Sequence, residues 1–294
     1  MKTIKINYND VDKGIEELET YDYLELEKCD KHVIYHVYWY GMIGRKQRLC
    51  MLSYLATQNL EMSSLWVWLD IETYNMDKSL IPNHKNIVIK IYNPNTEAKG
   101  TPLEGYSLMK QNSKLKFRSD LARIAILYKY GGVYYDLDMI LLKDLRPLLG
   151  VEFCYRWSKY LTGNNAILRL FKESNNTKIL INKYKKVLKN TIFTTKLNFK
   201  IFTDELPLYC FPCVMFDPVW IINDKYRRTT GIDIVGSKYS NLCNFDDFFN
   251  RTDEKVEYFF KNMIFAYHWH SRNNIKIEND SYFDKFEKYF ETLL

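Results

Sequence analysis

No apolar run in this 294-residue chain approaches the ~18 residues that would span a bilayer. The N-terminal stretch MKTIKINYNDVDKGIEELE also lacks the apolar centre of a secretory signal and is rich in acids. These two absences set the expectation of a soluble, cytoplasmic protein without a transmembrane segment. A basic block is missing too. Lys and Arg total 42 against 36 Asp and Glu, a formal charge of +6, and no cluster is long enough to mark a nucleic-acid tail. Such a margin suits an anionic small ligand, and no nucleic-acid partner is expected. Cysteines are few and scattered, at positions 29, 50, 154, 210, 213 and 243, which argues for thiols rather than a disulfide framework. Cys210-Phe-Pro-Cys213 has redox-motif spacing but lies in an apolar run, so its reading is structural. Without a secretory signal, the sequons at Asn175 and Asn250 are chance matches. No internal repeat and no low-complexity linker divides the chain. The expectation is one domain over 1–294, with a peripheral segment at 1–30 and two halves, 33–149 and 150–294.

Apolar residues are plentiful at 47%, enough for a sizeable core. Val33–Trp39 (VIYHVYW) reads as a buried strand. Gly41 and Gly44 break it, and a helical pattern runs from about Arg45 to Asn59. Leu65–Leu69 and Ile87–Ile91 read as further strands. Strand, helix, strand, loop, strand is the grammar of an α/β sheet with parallel crossovers. After Gly150 the pattern blurs into a more helical, irregular half, with residues 165–189 reading as mainly helical and 282–294 as a terminal helix.

The stretch 117–149, FRSDLARIAILYKYGGVYYDLDMILLKDLRPLL, carries the chemistry. Ser119 is placed to cap a helix and Gly131 to end it. Leu121, Ile124, Ala125 and Tyr128 form its buried stripe, and Asp120 and Arg123 share another face. Val133–Leu137 then reads as a central strand. On a strand, Asp136 and Asp138 point to one side, and two carboxylates so close repel unless a cation joins them. A hard divalent ion, Mn²⁺ or Mg²⁺, is the natural partner, completed by phosphate oxygens of a ligand. Alone, D-x-D is also what two solvent-facing acids at a strand end look like. Its place at the end of an apolar strand, where open α/β sheets bind ligands, favours the ion. Arg123 suits a phosphate and Asp120 a sugar hydroxyl.

Ser119-Asp-Leu-Ala-Arg123, seven residues, then Gly131-Gly-Val-Tyr-Tyr-Asp-Leu-Asp138 resembles the signature of DXD-containing glycosyltransferases of family 32, related to α-1,4-galactosyltransferases and clostridial glucosylating toxins. The specific likeness covers these residues, and the rest of the chain agrees loosely. The resemblance implies a GT-A fold with a Rossmann-like nucleotide-binding sheet, in which 33–149 binds a nucleotide-sugar and 150–294 faces the acceptor. It implies a Mn²⁺-dependent retaining transfer of a hexose from a UDP-sugar to a glycan acceptor. It further implies that Asp138 binds the metal directly, and that Asp136 contacts the metal and the ribose or sugar. Asp120 and Arg123 would touch the donor sugar, and Tyr134 would line its site. An aromatic ending the first strand, Tyr38 or Trp39, would meet the base, and His36 matches the family's opening segment.

A second constellation is Ala266-Tyr-His-Trp-His-Ser-Arg272. His268 and His270 lie two apart, and one of them suits a metal or diphosphate. Relatives close over the diphosphate with a similar H-x-W segment. His268 aligns with their histidine, with Trp269 and His270 set against the donor. The tryptophan falls one residue early here, which leaves the third metal ligand open between His268, His270 and water. Asn164 and Asn165, after a glycine, resemble the segment that holds sugar hydroxyls. Asp204 and Glu205 are the candidates for a general base should the reaction invert. The alternatives are a metal-dependent nucleotidyl- or phosphotransferase, which the absence of G-x-x-x-x-G-K-[ST] disfavours, and a non-catalytic carbohydrate-binding protein.

Overall fold

The computed structural model describes residues 2–3, 29, 31–109, 115–157, 162–189, 201–203, 206–219, 245–260 and 264–294. Asp204 and Glu205, and the acidic stretch at 14–26, lie outside them. Ten strands form among the described residues, beginning with β1 (Lys2–Thr3), β2 (Val33–Trp39), β3 (Ser63–Asp70) and β4 (Ile87–Tyr92). They continue with β5 (Gly132–Tyr135), β6 (Met139–Leu141), β7 (Phe153–Arg156), β8 (Gly163–Leu170), β9 (Tyr209–Phe211) and β10 (Ala266–His268). The helices are α1 (Arg45–Thr57), α2 (Ile71–Tyr74), α3 (Pro94–Ala98), α4 (Leu115–Tyr130), α5 (Asn175–Lys189) and α6 (Tyr282–Thr292).

Eight strands make one sheet in the order β1-β9-β7-β8-β5-β2-β3-β4. Every neighbouring pair is parallel except the two that involve β8, which runs against both β5 and β7. The sheet is covered on both faces, as parallel sheets must be. Alternation assigns the sides. Tyr35, Val37, Val133 and Tyr135 face a core shared with α1, β6 and α6, while Tyr38 and Tyr134 face one shared with α4 and α5. Among the described residues no helix is long and apolar enough to cross a membrane.

Several expectations need correcting. Residues 165–170 belong to β8 and not to a helix, because the strand is inserted, fully buried, between β5 and β7. A short apolar run offers too little periodicity to separate strand from helix. The helix α4 begins at Leu115, so Ser119 lies inside it and is not its cap. The strand β5 ends at Tyr135, and Asp136 to Asp138 form the turn into β6. The pattern from Asp144 to Leu149, with Pro147, predicts a short helix, and there residues 146–148 form one 3-10 turn.

The turn from α4 into β5 is set by glycine. Gly131 and Gly132 have φ of +66° and +108°, where a side chain is strained. His36 of β2 closes the turn from below. Its Nε2–H donates to the Gly131 carbonyl at 2.8 Å, and its Nδ1 accepts from Trp68 Nε1 at 3.2 Å. Burial pushes its pKa down to about 3, so the ring stays neutral and keeps this donor–acceptor arrangement. His36 therefore acts in the architecture. His36→Ala is expected to lower stability by about 2 kcal/mol, because it leaves a buried carbonyl unpaired and opens a cavity, with urea denaturation as the check.

Candidate functional site

The site assembles where β5 gives way to β6. The small sheet β6–β10 is antiparallel, with Met139 opposite His268 and Leu141 opposite Ala266. That register carries the chain's C-terminal constellation to the D-x-D turn across about 130 residues of sequence. Trp269 N donates to the Asp138 carbonyl at 3.0 Å and extends the ladder by one bond. The next two residues, His270 and Ser271, take left-handed φ of +53° and +56°, uncommon for residues other than glycine. This bend turns the Ser271 amide onto Asp138 Oδ2 at 2.6 Å, and the Ser271 hydroxyl reaches the same oxygen at 3.1 Å. Lys46 of α1 holds the loop beyond, donating to the carbonyls of Arg272 and, at 2.7 Å, Ile275.

Asp136, Asp138 and His268 each present a ligand atom within 4.8 Å of the others. His268 Nε2 lies 3.1 Å from Asp138 Oδ1, an oxygen that is buried and receives no well-aligned hydrogen bond. Two carboxylates and an imidazole, with one buried oxygen left open, fit a divalent cation. In the ion-free site the three groups set one another's charge. Burial alone would raise both acids. It does raise Asp136, with the neighbouring Asp138 charge adding to it and Arg123 opposing. For Asp138 the His268 charge and the Ser271 amide outweigh burial and hold it well below the usual carboxylate range. Burial pulls His268 down, but the carboxylates, Asp138 first, lift it to about 9.

A histidine whose pKa is raised to about 9 on folding adds stability that is full below its unfolded pKa of ~6.5. That stability drains as pH rises through 9. The metal-free protein is thus expected to lose denaturation midpoint between about pH 6.5 and 9, and His268→Gln to flatten that slope in urea melts at stepped pH.

On the other side of Asp136 runs a buried chain of polar contacts. Arg123 donates to Asp136 Oδ1 at 2.6 Å and to Asp120 Oδ1 at 3.3 Å. Asn165 donates to the same Asp120 oxygen at 3.1 Å and to the Tyr184 hydroxyl at 2.8 Å. The Arg123 guanidinium also lies over the Tyr134 ring, 4.5 Å from its centroid. Asp120 and Arg123 are therefore no exposed ion pair, since the Arg123 side chain is 3% exposed. Replacing Arg123 by Met would strand two acids. It is expected to cost about 3–5 kcal/mol, read from denaturant midpoints.

The remaining expected residues fall in different places. Tyr134 is fully buried beneath Arg123. Tyr38 is buried, its hydroxyl donating to Asp70 Oδ2, which also receives Arg118 at 2.6 Å. Trp39 is half-buried on the opposite face and donates to the Met42 carbonyl. Asn164 is buried, and its Oδ1 accepts from the Ala166 amide. Trp269 has no exposure and packs against Phe248, Phe249 and Phe283, so its ring belongs to the core. His270 stacks on His268 with centroids 3.8 Å apart. The sequence reading missed Ser271, Tyr155 and Asp217. Asp217 had a signal: it is a lone acid in the apolar run PCVMFDPVW, where a charge must find partners.

Comparison with known proteins bears on this arrangement. Residues 51–154 match a family model described as the glycosyltransferase sugar-binding region containing DXD motif. The rat lactosylceramide 4-alpha-galactosyltransferase is 36% identical over 88 residues, covering 28% of this chain and 24% of that protein. An uncharacterized glycosyltransferase of Acanthamoeba polyphaga mimivirus is 26% identical over 140 residues, covering 43% and 47%. The chain thus spans between a quarter and a half of these relatives. Among solved structures, the apo form of the glycosyltransferase GlyE of Streptococcus pneumoniae aligns with a TM-score of 0.50 at 12% identity, over 89% of this chain and 62% of that one. The fold is of the GT-A type, and residues 51–154, which carry Asp136 and Asp138 toward their C-terminal end, match the DXD-containing glycosyltransferase sugar-binding region.

Proposed function

We propose that the protein is a metal-dependent retaining glycosyltransferase that moves a hexose from a UDP-sugar to a hydroxyl of a glycan acceptor. One observation carries the reading. The D-x-D turn, at the C-terminal end of a central parallel strand, meets His268 on one side and the Arg123–Asp120–Asn165 chain on the other. Ligands of open α/β sheets bind at that end of the strands.

Asp138, Asp136 and His268 are the groups that would hold Mn²⁺ or Mg²⁺. When bound, such an ion neutralises charge on a departing diphosphate. Arg123 and Asp120 are set to orient the donor sugar, with Asn165 fixing the Asp120 carboxylate. The acids around the site are each held by a cation or a histidine: Asp120 and Asp136 by Arg123, Asp138 by His268, Asp217 by His270. Among the described residues none of these acids stands free as a nucleophile. This supports attack from the leaving-group side, in which the acceptor oxygen bonds to the anomeric carbon as the bond to the diphosphate breaks. The acceptor's proton passes to the departing phosphate oxygen.

The test is incubation with a panel of UDP-sugars and Mn²⁺. Release of UDP that stops on adding EDTA is expected, and anomeric NMR of the product reads retention. Turnover of plain nucleotides with no sugar-nucleotide binding would replace this reading with a nucleotidyl- or phosphotransferase.

A further inference from the structure

Behind the two histidines stands a carboxylate that no motif marks. Asp217 follows the 3-10 turn Cys213–Met215 and has 0% exposure. Its backbone is fixed, because its amide donates to the Cys213 carbonyl at 2.8 Å and its own carbonyl receives the Cys213 thiol at 3.4 Å. Its Oδ2 lies 2.6 Å from His270 Nε2 and 3.8 Å from His268 Nδ1. The Tyr155 hydroxyl of β7 sits 3.0 Å from that same Nδ1.

Asp217, His268 and His270 place ligand-type atoms within 4.8 Å of one another, which raises the question of a second metal site. Ring geometry answers it. The two imidazoles stack with planes 29° apart. A nitrogen lone pair lies in its ring plane, so two stacked rings send theirs side by side and do not converge on one ion. Meanwhile His268 Nε2 faces Asp138 Oδ1 at 3.1 Å. The imidazole is thus gripped on its inner edge and open, at Nε2, toward the D-x-D turn.

We propose that Asp217 and Tyr155 are the positioning residues of the metal centre. They occupy the Nδ1 side of His268, and Asp217 also clamps His270 against its face. His268 is thereby held with Nε2 presented to the ion. This rests on the reading of Asp136, Asp138 and His268 as an ion site. The physical reason is general: a ligating histidine needs its other nitrogen engaged to fix tautomer and orientation, and removing that partner weakens metal binding ~10–100-fold.

The test is made on the full chain labelled with ¹⁵N-histidine. Mn²⁺ affinity is titrated by EPR, and the histidine nitrogen coupling to bound Mn²⁺ is read by electron spin echo envelope modulation. The wild type is expected to show one coupled histidine, and Asp138→Ala to bind no Mn²⁺. Asp217→Asn keeps the volume and is expected to weaken binding by ~10-fold or more and lose the coupling. Its melting in EDTA should stay near that of the wild type. Tyr155→Phe should weaken binding less and diminish the coupling. Wild-type binding that is abolished by Asp138→Ala, yet unchanged in affinity and coupling in both other variants, overturns the positioning role and leaves the ion site standing. If Asp217→Asn does not fold, Tyr155→Phe alone decides, and an unaltered coupling there overturns the role. A wild type that binds no Mn²⁺ overturns the ion site and this role together.

Discussion

Replacing Asp138 by Asn is expected to lower metal-dependent UDP release by about 10²–10³-fold, while the folded protein survives. The size follows from what the group supplies. It is the most buried of the two D-x-D acids, with an 11% exposed side chain against 27% for Asp136. It is also the one whose negative charge the surroundings favour. A carboxylate charge fixed in a low-dielectric pocket would hold a divalent cation far more tightly than one in water, and that cation is what would neutralise a departing diphosphate. Asn is the informative substitution because Asp138 does two things. Its Oδ2 accepts the Ser271 amide and hydroxyl and so holds the left-handed bend at His270 and Ser271. An amide oxygen can keep that bond but brings no charge for a cation. Asp138→Ala loses both and is expected to lower stability as well. Saturating Mn²⁺ should raise the wild-type melting temperature, since a ligand at 100 times its Kd stabilises by about 2.7 kcal/mol. The same addition should leave the Asn variant unmoved. An Asn variant that still releases UDP at the wild-type rate would remove Asp138 from the reaction.

How much of this was legible beforehand depends on sequence distance. Asp120, Arg123, Gly131, Gly132, Asp136 and Asp138 lie within nineteen positions of each other, and local rules of helix face and glycine stop already place them near one another. Their union with His268 was legible as a resemblance but not as a pairing. It needs the Met139–His268 register of β6 and β10, set by tertiary packing that no local pattern encodes. Asp217 needed more still, for it stands in the segment after β9 while its histidine partners lie in β10 and just beyond it. Burial of particular side chains was not legible locally either. Tyr134 and Trp269 look like ligand-lining aromatics in a motif, but the strand's alternation turns Tyr134 under Arg123. A cage of phenylalanines draws Trp269 inward. The D-x-D acids themselves sit in a turn where alternation does not apply. They converge because the turn is pinned at both ends: Asp136 N donates to the Ala166 carbonyl and Met139 N to the Asp136 carbonyl.

Gly132→Ala is the stability counterpart, expected to cost about 3–5 kcal/mol and to lower the melting temperature by on the order of 10 °C. Two independent terms add. At φ +108° an alanine is in a region that L side chains rarely occupy, a penalty of about 1–3 kcal/mol. A Cβ built there would also lie 2.1 Å from the Ile34 carbonyl oxygen and 3.1 Å from His36 Nε2. The first is a backbone atom of the neighbouring central strand and cannot rotate away. Relief requires β5 to move off β2, and the two are hydrogen-bonded in parallel register at Tyr35–Val133 and His36–Tyr134. Movement there would also drag the His36 bond to Gly131. Because β5 delivers Asp136 and Asp138 directly, the loss should reach the site before it unfolds the chain. Mn²⁺ affinity should weaken at temperatures where circular dichroism still reports a folded protein. Gly100→Ala is the matched control, since Gly100 also has a positive φ of +76° but nothing lies within 4 Å of its added Cβ. It should cost only the backbone strain and leave Mn²⁺ affinity alone. Equal losses at the two glycines would show that strain by itself accounts for Gly132, and that close packing of β5 against β2 contributes nothing.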